Sequence, residues 1–173
     1  ISDYNKAIQL NPNDPDAYNN RGNSKNNLKA YNVAIIDFNK AIELDPNYEK
    51  AYYNRGISKA SLKEYSGAIS DYNKAIELDP NNGAAYHNRG LLKNKLKDYN
   101  GAIEDYSKAI EIKPSDASIY DNRGVSKDEL KDYYGAIRDY SKAIELDPDF
   151  SKYYGGRGIS KASLKEYSGA IRD

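Results

Sequence analysis

The chain of 173 residues contains no cysteine and no methionine, and its one histidine is His87. Without cysteine there are no disulfides, no thiolate metal sites and no cysteine nucleophile, although either redox compartment stays open. A single imidazole supplies neither a histidine pair, nor a His-rich metal site, nor a triad with a suitably spaced partner, so no catalysis, cofactor or metal is expected. Excess charge is missing too, since 26 Lys and Arg balance 26 Asp and Glu. A net charge of zero gives no electrostatic footprint for nucleic acid or for an anionic membrane. No run approaches the roughly 18 apolar residues of a membrane span, and the opening Ile-Ser-Asp-Tyr has neither the basic nor the apolar region of a signal peptide. With no methionine, Ile1 is not a natural start. The expectation is a segment of a longer protein, with any targeting signal outside it.

What the chain does have is a period. Pro12, Pro46, Pro80, Pro114 and Pro148 recur every 34 residues, the mark of a repeat array. The Arg-Gly pairs beginning at Arg21, Arg55, Arg89, Arg123 and Arg157 keep the same register, as do Tyr18, Tyr52, Tyr86, Tyr120 and Tyr154. Within a unit, apolar residues recur at helical spacing, first in Tyr18, Gly22 and Leu28, then in Tyr31, Ala34, Ile35, Phe38, Ala41 and Ile42. Strand-like alternation is missing. The Leu-Asp-Pro at the end of the second run stops it, because proline disfavours helical geometry in the residue before it. The reading is one array over residues 1–173. Residues 1–14 are a second helix, 15–48, 49–82, 83–116 and 117–150 are full units, and 151–173 is a truncated fifth unit in which Asp173 lies just inside the second helix.

These residues resemble the tetratricopeptide repeat family, a 34-residue helix-turn-helix with an aromatic and a glycine in its first helix, then alanine, aromatic, alanine and proline. Tyr52, Gly56, Ala68, Tyr72, Ala75 and Pro80 stand at those places in the second unit. The sequence departs from the pattern with Tyr for the usual Trp, Arg before the Gly, and Lys25, Lys59, Lys93, Lys127 and Lys161 where an aromatic is common. The resemblance implies an all-α fold, a right-handed α-solenoid of antiparallel helix pairs, with first helices lining a concave groove. It implies a protein-protein interaction scaffold and no reaction.

Helical projection puts Tyr18, Arg21, Gly22, Lys25 and Leu28 on one packed face, and Asp16, Asn20, Asn23 and Asn27 opposite. A guanidinium on a packed face is costly unless paired. Asp37 lies on the arc of Ala34, Phe38, Ala41 and Leu44, and Asp71, Asp105, Asp139 and Asp173 repeat it. Arg21, Arg55, Arg89 and Arg123 are therefore expected to clamp such aspartates, within the unit or in the preceding one. The tyrosine series reads as packing rather than as a base-stacking platform.

The outward face carries Asn20, Asn54, Asn88 and Asn122, a series that breaks at Gly156. Each amide offers a donor and an acceptor, so a column of them suits the backbone of an extended peptide. It resembles the asparagine ladder in the superhelical repeats of the O-linked N-acetylglucosamine transferase, whose catalytic part has no counterpart here. The competing reading is a small polar residue tolerated on a solvated face, or bonded to its own helix. Specificity would come from the variable neighbours Asn23, Ile57, Leu91, Val125 and Ile159, and from Asn19, Tyr53, His87 and Asp121. Some family members clamp a C-terminal carboxylate. Asn23 and Asn54 fit that pattern, but Asn19, Ala84 and Asn88 stand where basic residues would complete it, so that ligand is not expected. The acidic and amide clusters at Asn11–Asp16 and Asp79–Gly83 lack calcium-loop spacing and read as caps and turns. The alternative function is a structural array that self-assembles by end-to-end stacking. Gly155, Gly156 and Gly158 in one helix make the fifth unit the expected soft spot.

Overall fold

The computed structural model describes residues 1–170, with side chains through Lys165. Among the described residues every regular element is an α-helix: α1 Ser2–Leu10, α2 Pro15–Asn27, α3 Tyr31–Leu44, α4 Glu49–Ser61, α5 Tyr65–Leu78, α6 Gly83–Lys95, α7 Tyr99–Ile112, α8 Ala117–Glu129, α9 Tyr133–Leu146 and α10 Ser151–Ala170. The fold is an all-α array of antiparallel helix pairs.

Local chemistry sets the boundaries. Asp14 caps α2 by accepting from the Asp16 amide at 3.0 Å, and Pro15 follows at the first helical position, where its missing N–H costs nothing. Asp98 and Asp132 cap α7 and α9 in the same manner, through the amides of Gly101 and Gly135. The second helices α3 and α5 end at Asp45 and Asp79, held extended as the residue before proline requires. First helices close differently. Lys29, Lys63, Lys97 and Lys131 adopt left-handed backbone with φ of 59°, 66°, 65° and 62°. Around Lys29 the amides of Lys29 and Ala30 reach back to Asn26 and Lys25 at 2.8 and 2.9 Å, the paired bonds of a Schellman turn.

α10 departs from the expected fifth unit. It runs from Ser151 to Ala170 without turning at Lys165, which holds the register of those lysines. A left-handed non-glycine residue costs about 1–2 kcal/mol. At Lys29 and Lys131 that cost is offset as α3 and α9 pack back on α2 and α8. Asp173, and with it the expected partner of Arg157, lies outside the described residues.

The chain divides into two compact units, Ile1–Ala85 and Tyr86–Asp173, the division falling inside α6. In the first unit α2 packs on α3 and α4 on α5, while α3 meets α4 and α2 meets α4. In the second, α8 packs on α9 and α9 on α10, and α8 touches α10 directly. First helices are thus neighbours in each unit. Ala34, Ala41, Ala68 and Ala75 in one unit, and Ala102, Ala109, Ala136 and Ala143 in the other, are fully buried, and their small side chains let the helices come close. Phe38, Tyr72, Tyr106 and Tyr140 fill the space between them. A Cβ placed on Gly56 would stand 2.7 Å from Tyr72 Cε1, so this glycine answers to an aromatic ring and not to a turn. Leu28 does not belong to the packed face: it caps the end of α2 and is 70% exposed, because the Schellman turn carries it past the last packed turn.

Candidate functional site

Asp37, Asp71, Asp105 and Asp139 each sit buried between two cations. Arg21 Nε and its NH2 nitrogen donate to Asp37 at 2.9 and 2.6 Å, and Lys25 Nζ meets the same carboxylate at 2.6 Å. The pattern recurs as Arg55–Asp71–Lys59, Arg89–Asp105–Lys93 and Arg123–Asp139–Lys127. The aspartate is always the one in the same repeat. The bond to Asp37 raises the Arg21 pKa above its ordinary value against the opposing effect of burial. The third guanidinium nitrogen reaches the preceding repeat: Arg21 to Asn5 at 2.9 Å, Arg55 to Asn39 at 2.7 Å and Arg123 to Ser107 at 3.0 Å. Each arginine also lies over the tyrosine three residues before it, 5.4 Å from the Tyr52 centroid for Arg55. The lysines are the residues that sequence reasoning missed.

Two members of the asparagine series, Asn54 and Asn122, are engaged inside the protein. Asn54 Nδ2 donates to Asn19 Oδ1 at 2.9 Å, and Asn122 Nδ2 lies 2.9 Å from His87 Nε2. Burial lowers the His87 pKa, so the ring is neutral near pH 7 and accepts this proton. Its other contact is an edge-on approach to Tyr106, centroids 5.9 Å apart. Asn20 is exposed and Asn88 half-buried on α6. Of the residues just past each tyrosine, Tyr53 and His87 are half-buried. Asn19 and Asp121 are buried, and Tyr53 tilts against Tyr72 with centroids 6.0 Å apart. Where the series breaks at Gly156, Asp121 takes Lys152 Nζ at 2.5 Å.

A parallel series lies one turn further along. Ser58 Oγ donates to Asn26 Oδ1 at 2.8 Å, Asn94 Nδ2 to Ser126 Oγ at 2.6 Å, and Ser160 Oγ to Asp128 Oδ1 at 2.7 Å. At the remaining pair of equivalent positions stand Ala60 and Leu92.

Two hollows open on first-helix surfaces. In the first unit, Asn23, Asn26 and Asn27 from α2, Tyr31, and Asn54, Ile57 and Ser61 from α4 line about 450 Å³ without a charged group among them. It unites Asn23, Asn54 and Ile57. In the second unit, Asp121, Val125 and Asp128 from α8, Tyr140, and Lys152, Gly155, Gly156 and Ile159 from α10 line about 390 Å³. Leu91 is 39% exposed on α6. A larger hollow of about 700 Å³ sits apart from both, at the proline turn that includes Pro114 and Ser115. Among the described residues no group of three or more His, Asp or Glu is placed to hold a metal ion, and no helix is long and apolar enough to cross a membrane.

A family model described as tetratricopeptide repeat matches residues 49–82 and 83–116, a second so described matches 117–150, and one described as TPR repeat matches 1–29. No curated protein sequence matches. Among solved structures, that of YrrB, a TPR protein with an unusual peptide-binding site, is similar at 23% identity and a TM-score of 0.85, over 94% of this chain and 84% of that one. MamA is similar at 28% identity and a TM-score of 0.80, over 87% of this chain and 88% of that one. The first TPR of Spaghetti (RPAP3), bound to the HSP90 peptide SRMEEVD, is similar at 24% identity and a TM-score of 0.66, over 68% of this chain and 93% of that one.

Proposed function

Since the chain is a member of the tetratricopeptide repeat family, we propose that it is a protein-interaction scaffold whose first helices hold an extended segment of a partner. The observation that carries this reading is the uncharged hollow of the first unit, where Asn54 and Ile57 on α4 meet Asn23 on α2. The Asn19 bond uses one amide hydrogen of Asn54 and fixes the side chain, leaving the second hydrogen and Oδ1 for a peptide backbone. A group already oriented loses little rotamer freedom on binding. Ile57, half-buried beside it, offers an apolar contact for a side chain. The peptide sites described for YrrB and for the first TPR of Spaghetti support the reading at the level of the fold. The basic residues a carboxylate clamp needs are replaced by Asn19 and Ala84, so the ligand is not an acidic tail held in that way.

The test is a peptide-library selection on this chain and on the Asn54→Ala, Asn122→Ala double variant. Peptides enriched on the parent and lost on the variant support a backbone reader. No enrichment on either chain overturns it and favours end-to-end stacking. Solution mass that grows with concentration identifies that second case.

A further inference from the structure

Asp128 is a charge where the fold needs none. At its register the first and third repeats carry Asn26 and Asn94, and a neutral amide there makes the bond to the serine of the next repeat at 2.8 and 2.6 Å. In the fourth repeat the same bond, to Ser160, is made by a carboxylate, which also accepts from the Tyr140 hydroxyl at 3.0 Å. Two hydroxyl protons serve a group with about four lone-pair sites, so acceptor capacity is left over. Among the described residues no cation pairs with Asp128, whereas Asp121 in the same hollow is neutralised by Lys152 at 2.5 Å. The lining of Asp121, Asp128 and Lys152 therefore carries one net negative charge. The hollow itself opens where Gly155 and Gly156 stand, and Val125 and Ile159 give it apolar walls.

We propose that the hollow between α8 and α10 receives a basic side chain with an aliphatic stem, carried by the bound partner segment, its methylenes on Val125 and Ile159 and its cation at Asp128. This rests on the scaffold reading above and gives the second unit a preference that the uncharged hollow of the first unit lacks. Burial raises the Asp128 pKa, partly opposed by the Ser160 and Tyr140 bonds, and an arriving cation relieves that desolvated charge.

The experiment titrates the isotope-labelled chain with the N-acetyl methylamides of lysine, arginine and norleucine, following the Gly155 and Gly156 amides by NMR. Lysine or arginine is expected to shift both amides saturably and to bind roughly five- to tenfold more tightly than norleucine. Asp128→Asn, which installs the residue native at this register in two other repeats, should bring the basic ligands down to the norleucine level. Gly155→Leu should block all three, because a Cβ at Gly155 meets nothing within 4 Å and the side chain has room to fill the hollow. Equal binding of norleucine and lysine, or an Asp128→Asn variant that binds lysine as the parent does, overturns the proposal. Silence of all three ligands overturns it as well. These ligands are too short to span the asparagines, so a positive library selection would leave the scaffold reading standing in that event.

Discussion

Arg55 grips Asp71 with two nitrogens, Nε at 2.9 Å from Oδ2 and NH2 at 2.6 Å from Oδ1, while Lys59 closes on Oδ2 at 2.8 Å. Asp71 is the buried member, at 3% exposure. Removing it leaves two cations facing each other on a packed surface, and Asp71→Ala should cost roughly 3–5 kcal/mol. Lys59→Ala leaves the bidentate pair intact and should cost about 1 kcal/mol. Urea unfolding of the two variants gives the comparison, and equal losses would show that the aspartate is not the keystone of the triad.

Gly56 and Gly158 occupy the same register and should respond oppositely to alanine. At Gly56 the new methyl meets the Tyr72 ring at 2.7 Å, and overpacking of this kind costs about 1–3 kcal/mol. At Gly158 nothing lies within 4 Å, so Gly158→Ala should stabilise α10 by up to about 1 kcal/mol. Hydrogen exchange along α10 reads the second effect locally. An unchanged or faster exchange there would contradict it.

Lys63 turns the chain with φ of 66°. Glycine takes that conformation without the Cβ penalty, so Lys63→Gly should stabilise by about 1 kcal/mol and raise Tm by about 2–4 °C. A lower Tm would mean that the lysine stem contributes more than its backbone costs.

His87 makes stability depend on pH. Burial depresses its pKa below 6.5, so the unfolded chain binds the proton more readily than the folded one. The stabilisation is complete above about pH 6.5 and is lost as pH falls through the lower folded value. Protonation also removes the acceptor that Nε2 presents to Asn122. Between pH 7.5 and 5.5 the parent should lose more stability than His87→Gln; parallel losses would remove His87 from the account.

The helix pairs were legible in the sequence because their determinants are local: the arc of Ala34, Asp37, Phe38 and Ala41 follows from a 3.6-residue period, and the helix ends from Asp-Pro. Side-chain partners 16 or 35 residues apart were legible only in part. That each arginine needs a carboxylate followed from the cost of burying charge, but the projection that set Lys25 on the packed face assigned it no partner, and Lys25 reaches Asp37 only because α2 and α3 lie close enough. The burial of Asn19 and Asp121 was not legible for a similar reason. Each looked like an open position on its own helix, and each is covered by the helix of the next repeat, through Asn54 in one case and Lys152 in the other. Variation between units there goes with a change of internal partner.

The Asn26–Ser58 and Asn94–Ser126 bonds give the repeats a fixed order of assembly. Units of equal length look interchangeable, and loss of one by recombination would preserve the period. Deleting residues 49–82, however, would set Leu92 where Ser58 now stands, presenting a hydrocarbon to an amide whose acceptor had been satisfied. Neighbours in this array are matched like adjoining teeth of two different keys, so loss of this repeat carries a penalty that the shared 34-residue length conceals.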